Sequence, residues 1–220
     1  ALMQGIREAL RTLGEATGHQ REYVFILTEE VDAIADAVEW VAKGTEGHDF
    51  SAFIGVSVEA FPWSMGQFLR GETVVVRDPD ALSEEAAPER GACEALTIRS
   101  YVNVPLSASG TLLGWLGFDA TERPIDWSDA QLQMLQLAGD VIATALDRQR
   151  QQRALDAQKE VLLRMKTVAE LAEGLAHDIN NPLTWVLGNI EHFRQNLTAL
   201  MPQDDRREMV QLALDDARDG

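Results

Sequence analysis

Cysteine, basic charge and long apolar runs are scarce in this sequence, and each scarcity excludes something. One cysteine, Cys93, stands among 220 residues. No intramolecular disulfide can form, which fits a reducing compartment. Lys and Arg number 19 against 36 Asp and Glu, a net charge of −17. Such acidity argues against wrapping nucleic acid or docking on an anionic membrane. No run approaches the ~18 consecutive apolar residues of a membrane span. The start has none of the parts of a signal peptide. The chain opens on ALMQGIREAL, already inside a helical pattern, and ends on LALDDARDG without a convincing cap. We therefore expect a segment of a longer, cytoplasmic protein. Four histidines, His19, His48, His177 and His192, show no metal-ligand spacing. The last two, on one helix, would stand roughly 22 Å apart, so no metal site is expected.

What the sequence does contain divides near residue 150. Over 1–150, Ile6, Leu10 and Leu13 recur at helical spacing, with Gly14 and Gly18 read as stop signals. YVFILT (23–28) and AIADAVEWVA (33–42) read as strands of a hairpin around TEEVD. FPWSMGQFLRGE predicts a short helix ending at Gly71, TVVVR (73–77) a strand, and 83–96 an Ala- and Glu-rich helix. YVNVPL and TLLGWLGFDA flank the turn SASG (107–110) as a second hairpin. Two hairpins and a further strand with helices at both ends predict an α+β unit, an antiparallel sheet covered by helices. Ser128 and Gln131 form a capping box, S-D-A-Q, at the head of a long helix running to about Leu200.

The second part, 151–220, carries a heptad. Leu155, Leu162, Ala169, Ala176, Leu183, Ile190 and Leu197 share one position. Gln158, Met165, Ala172, Ile179, Val186, Phe193 and Leu200 fall three residues later, all apolar except Gln158. Val161, Val168 and Leu175 widen the stripe towards a helical bundle. A lone helix cannot bury it. The pattern predicts a homodimer whose second helix is REMVQLALDDA (207–217), a helical hairpin in each copy making a four-helix bundle.

GLAHDINNPL (174–183) interrupts this helix with residues of poor helix propensity and an interior proline, which costs about 3 kcal/mol. The register nevertheless passes through without a slip, so the helix is expected to continue and bend at Pro182. His177 then stands beside the seam, Asn181 one turn along the same face, and Asp178 about 100° around. An imidazole beside a carboxylate can act as a nucleophile, with Asp178 orienting the ring and taking its proton.

The string HDINNPL resembles the H-box of sensor histidine kinases, the phosphoacceptor helix of their dimerisation domain. The resemblance implies that His177 accepts the γ-phosphoryl group of ATP and passes it to an aspartate on a response-regulator receiver domain. It implies that Asp178 is the general base, that Asn181 positions the water that dephosphorylates the regulator, and that Pro182 permits bending. ATP and Mg belong to a separate ATP-binding catalytic domain. No glycine-rich lid pattern or Asp-x-Gly-x-Gly follows residue 183, so the segment by itself is expected to be inactive and to hold no cofactor of its own. The competing reading is a surface histidine on a dimerising helix, in a non-catalytic, dimeric ligand-binding module.

Residues 1–150 resemble a GAF domain through YVFILTEE, AVEWVAKG, LRGETVVV, IRSYVNVPL, LLGWLGFD and WSDAQLQMLQLAGDVIATAL, in that order. The family implies a sheet whose face often holds a small ligand. Its identity here is not readable. Cys93, in GACEAL, lacks the adjacent histidine of many tetrapyrrole-binding members and reads as a small packed residue. Trp40, Trp63, Trp115 and Phe118 could line a pocket or serve as plain core.

Overall fold

The computed structural model describes residues 2–219 except 46, 49 and 201–204. Side chains are described for these residues apart from 197–200, 205–208 and 217–219. Two compact units form, Ala1–Arg153 and Ala154–Gly220. In the first, α1 (Leu2–Thr17) leads into β1 (Arg21–Leu27) and β2 (Ile34–Val41), then α2 (Pro62–Phe68), β3 (Val74–Val76), α3 (Ala87–Ala95), β4 (Ser100–Ala108) and β5 (Thr111–Ala120). The strands make one antiparallel sheet in the order β2-β1-β5-β4-β3. Helix α4 runs Asp129–Leu200 and α5 runs Asp205–Asp219.

Both faces of the sheet are covered, and the two-residue period of each strand divides its side chains between two cores. Val24, Ile26, Val102, Val104, Leu116 and Phe118 pack against Ile6 and Leu10 of α1 and against Leu135, Ile142 and Leu146 of α4. Tyr23, Phe25, Leu27, Tyr101 and Trp115 form the opposite core with Phe50, Met65, Phe68 and Cys93. Between two neighbours and under two covered faces, β1 is buried at every position. That is why it begins at Arg21, two residues earlier than its apolar run: two charged residues open a fully buried strand.

Several boundaries move for identifiable reasons. Gly14 does not stop α1. The helix continues to Thr17, and Gly18, at φ +70°, ends it by donating to Gly14 O at 2.8 Å. Gly14 is instead a contact point, where an added Cβ would lie 1.9 Å from the Trp40 ring. The β4–β5 connection is only Ser109-Gly110, with φ of +53° and +79°, as a tight two-residue hairpin turn requires. Helix α2 ends at Phe68 and the chain then turns through Gly71. Helix α3 starts at Ala87, after a 3-10 turn over Glu84–Ala86, because Pro88 suits a first helical turn better than an interior.

The capping box at α4 forms as expected. Ser128 N donates to Gln131 Oε1 at 3.0 Å, and Gln131 N donates back to Ser128 Oγ at 3.3 Å. Ser128→Ala should therefore cost about 1 kcal/mol. A thermal melt should show it as a fall of roughly 2–4 °C, and an unchanged midpoint would deny the cap its role.

In the second unit α4 continues without a break through Pro182. Lacking an N–H, Pro182 leaves the carbonyl of Asp178 without its helical partner. The apolar stripe is exposed along this stretch, with Leu162, Met165, Val168 and Leu175 all above 60% accessible. Arg194 Nη1 lies 3.8 Å from Asp215 Oδ1, an ion pair between α4 and α5. The PQDD connection falls on 202–205, largely outside the described residues.

Candidate functional site

A cavity of about 80 Å³ lies in the first unit between the sheet and α2 and α3. Its walls are aromatic. The rings of Phe25 and Trp115, Phe25 and Phe50, and Tyr23 and Phe50 all have centroids 5.0 Å apart, and Phe68 stacks on Trp115 at 5.5 Å. Ser64 of α2 and Glu89 of α3 line the cavity, and its other polar groups come from strand positions that share one face by the two-residue period. They are Tyr23 on β1, Tyr101 and Asn103 on β4, and Asp119 on β5.

The Tyr23 hydroxyl lies 3.0 Å from Asn103 Oδ1 and 3.1 Å from Asp119 Oδ1. Behind Asp119, Arg21 Nη2 is 3.8 Å from Asp119 Oδ2, with both side chains 1% exposed. From α3, Glu89 Oε1 accepts from Ser64 N at 2.9 Å and so satisfies an amide of the first turn of α2. Burial raises Asp119 to a pKa of about 7, against the lowering effects of Arg21 and the Tyr23 hydrogen bond. Burial, with Asp119 and Glu89 adding to it, pushes the Cys93 thiol up to about 12. A thiol so placed is protonated and unreactive. Cys93 is thus a packed residue, as its context predicts, and also part of the cavity wall.

Asp119 gives a pH dependence of defined sign. Its carboxyl titrates near 3.8 when unfolded and near 7 when folded. The native state therefore holds a proton that the unfolded chain has released, and stability falls as pH rises from about 4 to about 7. The span corresponds to roughly 4 kcal/mol at most. Thermal melts of Asp119→Asn should lose most of this slope. Glu22 and Glu39, also raised by burial, leave a remainder. An identical slope in the variant would contradict the assignment.

Among the four aromatic residues singled out from sequence, only Trp115 lines the cavity. Phe118 belongs to the opposite core, where it meets His19 and Trp127, and Trp40 packs on Gly14. Trp63 is partly buried beside the cavity core without lining the space. The missed residues are the polar ones. A lone Asn in YVNVPL and a lone Asp in GWLGFDA, both at core-facing positions, were the available signal.

On α4, His177, Asp178, Asn181 and Pro182 are all exposed. Asn181 Nδ2 lies 3.1 Å from His177 Nε2. Among the described residues, no hydrogen bond or ion pair joins Asp178 to the ring. His192 and Asn196 repeat the pairing at 3.2 Å. The pairing is therefore a local property of helical spacing, and what marks His177 is its neighbours Asp178 and Pro182. Among the described residues, no group of three His, Cys, Asp or Glu could hold a metal ion. No described helix is long and apolar enough to cross a membrane.

Comparison with known proteins fits this geometry. The GAF domain model matches residues 2–146. The methanogenesis regulatory histidine kinase FilI of Methanothrix harundinacea is 28% identical over 214 residues, covering 90% of this chain and 23% of that protein. The chain thus spans less than a quarter of that relative's length. Among solved structures, the photoproduct state of GAF3 from Slr1393 of Synechocystis sp. PCC6803 superposes with a TM-score of 0.55 at 15% identity, covering 70% of this chain and 99% of that one. The blue-light absorbing form of the Thermosynechococcus elongatus PixJ GAF domain gives 0.53 at 16% identity, with coverage of 71% and 94%. These similarities concern the fold.

Proposed function

We propose, taking as premise that the chain belongs to the GAF domain family, that it is the sensory and phosphoacceptor portion of a histidine kinase. GAF-domain signal transduction is the broader function, and the kinase output is our finer reading. The division at about residue 150 and the site roles belong to the same proposal. His177 takes the γ-phosphoryl group from ATP held by a separate catalytic domain and passes it to an aspartate of a response regulator. Asp178 acts as general base, Asn181 positions the hydrolytic water, and the helix bends at Pro182. The apolar stripe of α4 pairs with a second copy, in a four-helix bundle completed by α5. Occupancy of the GAF cavity shifts a two-state helical element that alters the geometry at His177.

The observation that carries this reading is the HDINNPL string on an uninterrupted, exposed helix. Transfer of this kind asks for alignment and charge stabilisation more than for a deep active site. The distant similarity to a histidine kinase over 90% of the chain supports it. The test separates the two steps in the intact protein. Asn181→Ala should leave autophosphorylation near wild type and slow dephosphorylation of the regulator, and equal loss of both would undo the role given to Asn181. A second reading, a non-catalytic ligand-binding module, is favoured by the cavity itself, and predicts ligand binding with no phosphoryl transfer.

A further inference from the structure

The cavity walls also restrict what it can hold. Among the described residues, its charged lining residues are Glu89 and Asp119, both acidic, and no Lys, Arg or His lines it. An anionic ligand would meet two carboxylates in a desolvated space with no countercharge on the wall, which disfavours phosphates and carboxylates. Each carboxylate has one oxygen occupied, by Tyr23 or by Ser64 N. The other oxygens, Asp119 Oδ2 and Glu89 Oε2, are buried without a hydrogen-bond partner among the described residues. Arg21 approaches Asp119 Oδ2 only to 3.8 Å and does not line the cavity. Both carboxylates line the same cavity, together with Cys93 and Tyr101. Around them stand aromatic rings, whose negative faces attract a cation.

We infer that this cavity takes a small alkylammonium ion, its N–H groups donating to Asp119 and Glu89 and its charge resting against Phe25, Phe50 and Trp115. The inference rests on the reading of the GAF unit as the sensory half. Charge and size agree with it. A bound ammonium favours the ionised form of Asp119 and so displaces the proton that the buried carboxyl otherwise holds. The space, about 80 Å³, is roughly half of the ~150 Å³ that encloses a benzene. It is also far below the ~300–1,000 Å³ of pockets for drug-sized ligands, so a linear tetrapyrrole is too large. An inorganic cation would want more oxygen ligands than this mostly aromatic wall supplies.

The test is calorimetric titration of the 220-residue chain with methylammonium, dimethylammonium and trimethylammonium chloride. Potassium chloride and sodium acetate at matched ionic strength serve as controls. At least one alkylammonium should bind saturably and the two controls should not. Glu89→Gln should weaken that binding at least about tenfold, the loss expected for a charge-assisted hydrogen bond. Trp115→Leu, which keeps both carboxylates, should weaken the more methylated ions most and decides the matter if Glu89→Gln fails to fold. No saturable binding, equal binding of potassium, or unchanged affinity in a folded variant would overturn the inference. Phosphorylation of His177 without any alkylammonium response would overturn the ligand and leave the phosphoacceptor reading intact. Alkylammonium binding without phosphorylation would do the reverse.

Discussion

Replacing His177 by glutamine should reduce phosphoryl incorporation from ATP to background in the intact protein, with helix content and thermal midpoint unchanged. Glutamine ranks with the good helix formers and keeps a side-chain polar group opposite Asn181, so the helix loses little. What it lacks is a ring nitrogen, the atom that attacks phosphorus in the proposed transfer. In the structure His177 Nε2 lies 3.1 Å from Asn181 Nδ2, on an exposed stretch of the helix. Exposure matters for the interpretation. His177 supports no core, so loss of activity cannot be credited to unfolding, and a radiolabel assay beside a circular-dichroism melt separates the two. Incorporation equal to wild type in His177→Gln would mean that the acceptor lies elsewhere.

The largest expected effect on stability is at Gly114, in the middle of the buried sheet. Its φ is +155°, and an added Cβ would lie 2.0 Å from the carbonyl oxygen of Phe25. The obstacle is backbone on the neighbouring strand β1, where Gly114 pairs with Ile26. A flexible side chain could move aside, whereas this carbonyl belongs to the strand at the centre of both cores. A register irregularity in β4 follows Leu106, the partner of Gly114 on its other side, so this row of the sheet is already bent. Gly114→Ala should cost about 3 kcal/mol or more. For a chain of this size that is a midpoint roughly 10 °C lower. Gly91→Ala, on α3 with nothing within 4 Å of the added Cβ, is the matched control and should be neutral or slightly stabilising. Equal midpoints for the two variants would contradict the close approach of β5 to β1.

Period and punctuation carried much of the fold. Alternation marked β4 and β5, Gly110 marked their turn, and Ser128 with Gln131 marked the head of α4. What they could not convey was long-range. The pairing of β1 with β5 joins residues 88 to 98 apart in sequence, from Ile26 with Gly114 to Arg21 with Asp119, and makes β1 the fully buried centre of the sheet. Only that pairing explains why Arg21 and Glu22 are interior and why Asp119 meets Tyr23. Gly14 was misread because a helix-stopping glycine and a glycine that admits a ring look alike until Trp40 is in place.

The two candidate sites differ in legibility for the same reason. HDINNPL is a local string on one helix, so its spacing alone states which residues share a face. The cavity is assembled from β1, β4, β5, α2 and α3, and its chemistry rests on Glu89, Asn103 and Asp119, isolated polar residues in apolar or alanine-rich segments. Aromatic residues drew attention there because they are large, yet three of the four packed elsewhere than the cavity wall.

The most direct test of the account is to incubate the intact protein, catalytic domain included, with labelled ATP and to map the modified residue by tandem mass spectrometry. The account predicts an acid-labile, base-stable phosphate on the imidazole of His177. Label on a serine, threonine or another histidine, or no label under conditions where ATP is bound, would contradict it.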